Sequence, residues 1–454
     1  MSETALQILF GGLMLATYAV IAFELLHKTV AALVGALAMT AAAIATGLVD
    51  SYTRVYDVLG HDLPILAVII GTSILVELAG QSGLFHFVAI KIVKRTGGHP
   101  VRLFLALQLL VFVFAALLTI VPAMLIVSGL TLVISKSLRL SPTPYLLGIA
   151  FASNSGTLCT FASGMPTLMV GSAAKIPYGQ FLVVSLPFAL VSLVVCYCWT
   201  RYAFRDDLTA PKTDHERAEL QATVEAFDEW ALAPDLAAFS RAAIVLCLTI
   251  VGFAVAKPLG VGPDFVALVG GAAMLLFHGK HVEETVKKVN WVVILFFSGL
   301  FIIVGLVKET HALERLAGTL TSLTGDSVLA NVATVTWFSG VASAIVDNIP
   351  VAATMIPMVP AMDGIPHEPL WWSLILGANL GGNATPIGSI SCVIALHALA
   401  KEAGIQIGWG RFLAVGGVLM IVQLVLATLW IAAYVAFDLL PELPAGAPGE
   451  PTGH

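Results

Sequence analysis

Apolar residues run along this chain in long blocks separated by short polar breaks. The blocks fall near 5–25, 30–48, 63–80, 103–118, 123–135, 144–174, 179–199, 240–256, 263–278, 290–306, 328–345, 349–362, 370–398 and 412–436. Crossing the hydrocarbon core of a bilayer takes about 20 mostly apolar residues. The Leu, Ala, Val and Gly content of these blocks, with no period-two alternation, predicts helices and not a transmembrane β-barrel. The expected fold is an all-α polytopic membrane protein. One long polar stretch interrupts the pattern, 203–238, which holds nine of the 28 Asp and Glu. It is expected to be an acidic linker between a first transmembrane repeat (1–202) and a second (239–437), with a tail at 438–454. Within it, Asp214 to Trp230 reads as a solvated amphipathic helix.

The two halves repeat one another. Residues 61–85 parallel 289–313, 115–129 parallel 342–356 with proline on proline, and 148–166 parallel 377–395, at an offset of 227–229 throughout. Three matches in one order at nearly one offset indicate duplication. Residues 103–138 and 328–362 read as re-entrant hairpins, leaving about five spans in each half.

Composition removes most other classes. Hydrophobic residues make up 58% and charged residues 11%, and the mean hydropathy is +0.95. Soluble domains carry about 25% charged residues. The net charge of −6 has no basic cluster, so no nucleic-acid partner is expected; the expected partners are the lipid bilayer and a small inorganic ion or small anion. A homodimer is compatible with this reading. Cys159, Cys196, Cys198, Cys247 and Cys392 lie in apolar stretches without metal spacing. Met1 to Gln7 lacks the basic start of a cleaved signal peptide.

Charge also gives an orientation. With the N-terminus outside, the outer side receives only Arg54, Lys175, Lys257, Lys308 and Arg315 of the 22 Lys and Arg, and the inner side the other 17. The expectation is a protein of the cell (inner or plasma) membrane with both termini outside and the linker cytoplasmic. An odd number of crossings per half makes the repeats inverted, a frequent build of secondary transporters. The hairpin flanks agree: Arg102, Lys136 and Arg139 for the first, Asp326 and Asp363 for the second.

Four places break an apolar run with proline, glycine or asparagine: Leu118–Pro122, Asn154–Pro166, Asp347–Pro350 and Asn379–Gly388. Irregular backbone at membrane depth is tolerated where it lines a cavity. Of six Asn in the chain, Asn154, Asn348, Asn379 and Asn383 fall at these breaks, offering a carbonyl to a cation or an amide to an anion. Asp347 is the only acid between Asp326 and Asp363. A carboxylate so placed is a functional candidate, and it also suits a helix N-cap ahead of Pro350. Its first-half counterparts are Thr119 and Ile120, so the carboxylate is not duplicated. The glycine-rich 381–389 lacks the ending of a phosphate loop. Glu24 and Glu77 read as interfacial acids, His397 as structural, and Cys159 and Cys392 as apolar cysteines beside the breaks. No HExxH or GxSxG motif is present and no midplane His accompanies a Ser or Cys, so an enzyme is not expected, nor a cofactor beyond a coupling Na⁺ or H⁺.

These residues resemble the ion-transporter superfamily, which includes NhaD-type sodium/proton antiporters, ArsB-type arsenite exporters, the mammalian pigmentation P-protein, and citrate and dicarboxylate transporters. The resemblance rests on FELLHKTVAALVGA at 23–36, DNIP at 347–350, GANLGGNATPIGS at 377–389 and IGWGRF at 407–412. It implies inverted repeats, each with a re-entrant hairpin and an unwound helix, and a ligand between the hairpin tips. By position, the implied site is Asp347, Asn348, Asn379, Gly382, Asn383, Thr385 and Pro386 from the second half, with Asp347, Asn348 and Asn383 as Na⁺ ligands. The first half contributes Thr119, Pro122, Asn154, Gly156 and Thr160. The first half departs from the pattern. Relatives often have a second Asp-Asn where this chain has Thr119-Ile120, and GGTATPIGDPPN where it has GTLCTFASGMPT. An arginine to grip a di- or tricarboxylate is missing from all four breaks. The expected function is a secondary active ion transporter, with Na⁺/H⁺-coupled exchange by alternating access foremost. Export of an inorganic anion such as arsenite and uptake of citrate or a dicarboxylate stay open.

Overall fold

The computed structural model describes all residues except Met1, Glu24, Thr119, Ala162, 210–212, 232–234, Lys257, 279–281, Asp363 and 443–454; of His61 and Leu323 only the backbone is described. The candidate Thr119, the acid Glu24, the flanking Asp363 and most of the expected tail therefore lie outside the described residues.

Every described element is helical. The first half runs α1 (Glu3–Ala22), α2 (Lys28–Thr46), α3 (Arg54–Gln81), the short α4 (Leu84–Lys94), α5 (Pro100–Leu117), α6 (Ile120–Ser137), α7 (Pro142–Gly156) and α8 (Met165–Ala173). One-turn α9 (Tyr178–Gln180) passes through a π-helical turn at Phe181–Ser185 into α10 (Leu186–Ala203). After α11 (Asp214–Glu225) the order recurs: α12 (Leu236–Val255), α13 (Pro263–His278), α14 (Val282–Lys288), α15 (Trp291–Lys308), α16 (Ala312–Thr324), α17 (Val328–Ile345), α18 (Asn348–Met355), α19 (His367–Gly381), α20 (Ile390–Glu402) and α21 (Trp409–Ala436).

Helix starts follow local chemistry. Ser327 caps α17 by accepting from Ala330 N, Asp235 caps α12, and Thr213 and Glu216 form a reciprocal capping box on α11. Pro100 and Pro142 occupy first turns, where the missing N–H costs nothing. The π-helical turn shifts carbonyls out of the helical ladder, which must find donors in a bilayer. They do: Tyr434 Oη donates to Val183 O at 2.8 Å and Trp430 Nε1 to Val184 O at 3.0 Å. These bonds bind α21 of the second half to the first.

Ten helices among the described residues are long and apolar enough to cross a membrane. They include α5, α6 and α17, which the sequence assigns to hairpins; at 18 residues each they are about 27 Å long, so length does not separate a hairpin arm from a span. The interrupted pair α7 and α8, the pair α19 and α20, and the short α13 fall below that length. Large apolar side chains such as Ile8, Leu37, Val194, Leu248, Leu276 and Leu429 stand exposed on the outer helices, a surface suited to lipid.

Packing separates two bodies. In one, α2 lies along α15 and α3 along α13, with α1 and α12 outside them. In the other, α5 packs on α7 and α17 on α19, with α6, α8, α10, α18, α20 and α21 around them. The centre of this second body is α7 and α19, which are buried from Thr143 to Gly156 and from Pro369 to Gly381. Two glycines set how closely these helices approach. A Cβ on Gly156 would sit 2.5 Å from Phe112 O, and one on Gly381 2.1 Å from Gly340 O. α4 and α16 connect one body to the other along the chain.

Candidate functional site

The first arm of each hairpin ends in the same way. Leu118 after α5 and Val346 after α17 are extended, at φ −115° and −118°. Asp347 follows, and its Oδ1 accepts from Ile349 N at 3.3 Å, capping α18. Each irregular stretch then ties itself to its hairpin through a threonine. Thr160 Oγ1 donates to Ala116 O at 2.9 Å, and Thr385 Oγ1 donates to Ala344 O at 2.6 Å. The two bonds occupy corresponding places in the two halves and hold each break against the last turn of its hairpin's first helix.

The asparagines of the breaks meet where the halves meet. Asn154 Nδ2 donates to Asn383 Oδ1 at 2.8 Å across a separation of 229 residues, the repeat offset itself. Ser391 Oγ donates to Asn154 Oδ1, and Asn383 Nδ2 donates to Gln423 Oε1, whose amide continues to Ser192. Asn379 Oδ1 accepts from Thr157 Oγ1 at 3.0 Å, and its Nδ2 donates to Thr167 Oγ1. Asn154 and Asn383 thus spend their amides on each other, on adjacent hydroxyls and on Gln423, and Asn379 on Thr157, Thr167 and Ile375 O, a satisfied buried network.

In front of this network, between the hairpin tips, lies a cavity of about 60 Å³, bordered by Lys28, Thr157, Asn290, Phe296, Asn348 and Asn379, with Ile120, Val121, Met165 and Ile349 closing its sides. Lys28 Nζ stands 3.3 Å from Asp347 Oδ2, with the two side chains 28% and 14% exposed. The same ammonium lies over the Phe296 ring, 5.5 Å from its centroid. Asn348 and Asn379 therefore line the cavity, Asp347 reaches Lys28 at its edge, and Asn154 and Asn383 stand behind. Pro122 lies on a wider cavity next door, Gly156 serves the close packing of α7 on α5, and buried Gly382 and Pro386 lie in the turn at 382–388. No group of three or more His, Cys, Asp or Glu converges anywhere among the described residues, so a cation here would depend on one carboxylate and neutral oxygens.

The wide cavities flank the small one along the seam between the two bodies. One, about 820 Å³, is bordered by Glu77, His86, Pro122, Met165, Lys288 and Asn290 among others. The other, about 690 Å³, is bordered by Arg54, Asp62, Met169, Lys308, Glu309 and Trp371 among others. On α3 they approach within one helical turn, at Ile69 and Ile65; on α8 they do the same at Met165 and Met169. Glu77 is engaged there with Lys288 at 3.3 Å and with Gln81. Cys159 and Cys392 are buried and border none of the three cavities.

Lys28 and Asn290 escape sequence reasoning. Lys28 counts among the inner charges that set orientation, although it is the only Lys, Arg, Asp or Glu between Glu24 and Asp50. That isolation is the signal that marks it. Asn290 stands at the start of an apolar run, where its Oδ1 caps α15 by accepting from Val293 N.

A family profile described as "Citrate transporter" matches residues 18–377. A Mycobacterium tuberculosis protein named as an uncharacterized transporter is 32% identical over 427 residues, covering 92% of this chain and 97% of that protein. The 46 kDa membrane protein of Mycobacterium leprae is 31% identical over 421 residues, 91% and 96% of the two chains. The human P protein is 27% identical over 487 residues, covering 89% of this chain and 57% of its own length. Among solved structures, the YdaH transporter of Alcanivorax borkumensis superposes with a TM-score of 0.61 at 14% identity, covering 91% of this chain and 99% of that one, a likeness of fold.

Proposed function

The chain belongs to the citrate transporter family, whose members cross the membrane and carry solutes, and from that premise we propose that it is a secondary active ion transporter exchanging Na⁺ for H⁺ by alternating access. The observation that supports this reading is the seam between the two bodies. Two wide cavities approach from opposite ends, and between them the hairpin tips enclose a space of about 60 Å³. Such a space admits an ion with a few waters, while larger ligands occupy about 300 Å³ or more. Asp347 supplies the charge, Asn348 and Asn379 the nearest neutral groups, and Asn154 with Asn383 the rigid floor. Pro122, Gly156, Thr160, Gly382, Thr385 and Pro386 shape the tips and breaks around that space. In this reading the repeats are inverted, the linker at 203–238 is cytoplasmic and both termini are outside. The cavity lined by Glu77 and Lys288 then opens inward and the other outward.

A second reading, uptake of a small organic anion such as citrate, is favoured by the family's description and by the inner cavity, whose volume and lining of Lys287, Lys288 and His86 suit a carboxylate. Flux into proteoliposomes under imposed Na⁺ and pH gradients separates the readings, with Na⁺, Li⁺, arsenite and citrate offered in turn. Na⁺-driven proton movement without any anion supports exchange. Citrate accumulation that depends on either gradient replaces it with the second reading.

A further inference from the structure

The small cavity adjoins one of its wide neighbours and is walled off from the other. Among the described residues it shares Val121, Met165, Asn290 and Val293 with the cavity bordered by Glu77 and Lys288. With the cavity bordered by Arg54 and Lys308 it shares no lining residue. A thin apolar layer lies between. On α8 the linings pass from Met165 to Met169, on α18 from Ile349 to Ala353, and on α15 from Phe296 to Phe301. Each step is about one helical turn, so the layer is about 6 Å thick. On α3 the two wide cavities come equally close, at Ile69 and Ile65.

The four helices make a closed ring: α3 touches α8, α8 touches α18, α18 touches α15, and α15 touches α3. Each body contributes two of them. Ile65, Met169, Phe301 and Ala353 are buried in it, and an apolar constriction of this kind excludes ions because they would have to shed their water against hydrocarbon. Neither wall of the ring has room to lean away within its own body. A Cβ on Gly71 of α3 would lie 2.3 Å from the carbonyl carbon of Ala267 on α13, and one on Gly171 of α8 would lie 2.9 Å and 3.0 Å from the Phe161 and Phe181 rings. Helices packed that closely hold their places. The seal is therefore broken only by parting the bodies or by shortening the side chains that fill it.

We propose that Ile65, Met169, Ala353 and Phe301 form the gate that shuts the site off from the cavity bordered by Arg54 and Lys308. The proposal rests on the alternating-access reading above and not on which ion is carried. Truncation tests it. In planar bilayers with NaCl on both sides and an applied voltage, the unmodified protein should hold the steady current at the level of the bare membrane. Ile65→Ala with Met169→Ala should raise that current about tenfold or more, the effect of a barrier lowered by about 1.4 kcal/mol. Val68→Ala with Leu168→Ala is the matched control, because it shortens buried side chains of the same two helices that border none of the three cavities; its current should stay at the background. Background current in the Ile65→Ala, Met169→Ala protein, or equal currents in the two double variants, would overturn the gate. If the first double variant does not fold, Met169→Ala decides alone, measured against Leu168→Ala. A steady current through the unmodified protein would instead overturn the alternating access on which the gate rests.

Discussion

At the scale of single residues, Asp347 has two duties in one carboxylate: one oxygen caps α18 and the other meets Lys28. Asn keeps a capping oxygen and removes the charge. Asp347→Asn should therefore purify as a folded protein yet bring Na⁺-dependent flux in liposomes down to background; near-normal flux would leave Asp347 as a cap only. Gly381 offers a sharper test of packing. Its Cβ would meet Gly340 O at 2.1 Å, backbone against backbone, whereas a Cβ on Gly129 would meet nothing within 4 Å. Gly381→Ala should cost about 1–3 kcal/mol, read as a lowered unfolding temperature in detergent, and Gly129→Ala should not. Much at this scale is legible in the sequence: a lone acid inside an apolar run, and asparagines gathered where runs break. Lys28 is not, because a lysine at the start of an apolar run looks like any interfacial charge. Its partner lies 319 residues away. The direct bond between Asn154 and Asn383 is hidden for the same reason, since the repeat offset relates the two residues without indicating that they touch.

At the scale of elements, the sequence shows each break and each helix start but not how the linker sits. α11 is largely exposed, as its charge pattern suggests, yet it is docked. A Cβ on Gly98, whose φ is +72°, would lie 2.8 Å from Leu220 O. Trp230 packs in a tilted cluster with Phe87 and Phe239, and Glu229 pairs with Lys94 of α4. The hydrogen bond from Lys94 holds the Glu229 carboxyl below its ordinary value of 4.5. A depressed carboxyl contributes its stabilisation above the ordinary value and loses it as pH falls through the depressed one. Docking of the linker should therefore weaken on acidification below about pH 4.5 and not between pH 6 and 8. Limited proteolysis of the linker across that range reads it out; Lys94→Gln should bring at neutral pH the susceptibility otherwise seen only in acid, and a pH-independent cleavage pattern would exclude the pair as the clamp.

For the whole molecule, sequence repeats foreshadow two equivalent halves, and the structure divides them differently: each body draws helices from both halves. Nothing in a linear pattern gives that partition, because it depends on α2 choosing α15 and α3 choosing α13. If the bodies move against one another, tethering them must stop transport. Tyr18 Oη lies 2.9 Å from Thr354 Oγ1 across the seam, between α1 and α18. Tyr18→Cys with Thr354→Cys, bridged by a short reducible bifunctional thiol reagent, should arrest flux, and reduction should release it; undiminished flux in the bridged protein would favour a fixed pore. The bond at the middle of the molecule carries a further consequence. Asn154 donates and Asn383 accepts, while Asn154 Oδ1 takes a hydrogen from Ser391 and Asn383 Nδ2 gives one to Gln423. Two identical amides cannot each be donor to the other through one hydrogen, so the contact on which the duplicated halves close runs one way, and exact two-fold symmetry cannot pass through it even where the residues match. The two halves, however closely their sequences repeat, are therefore not interchangeable at the place where they meet.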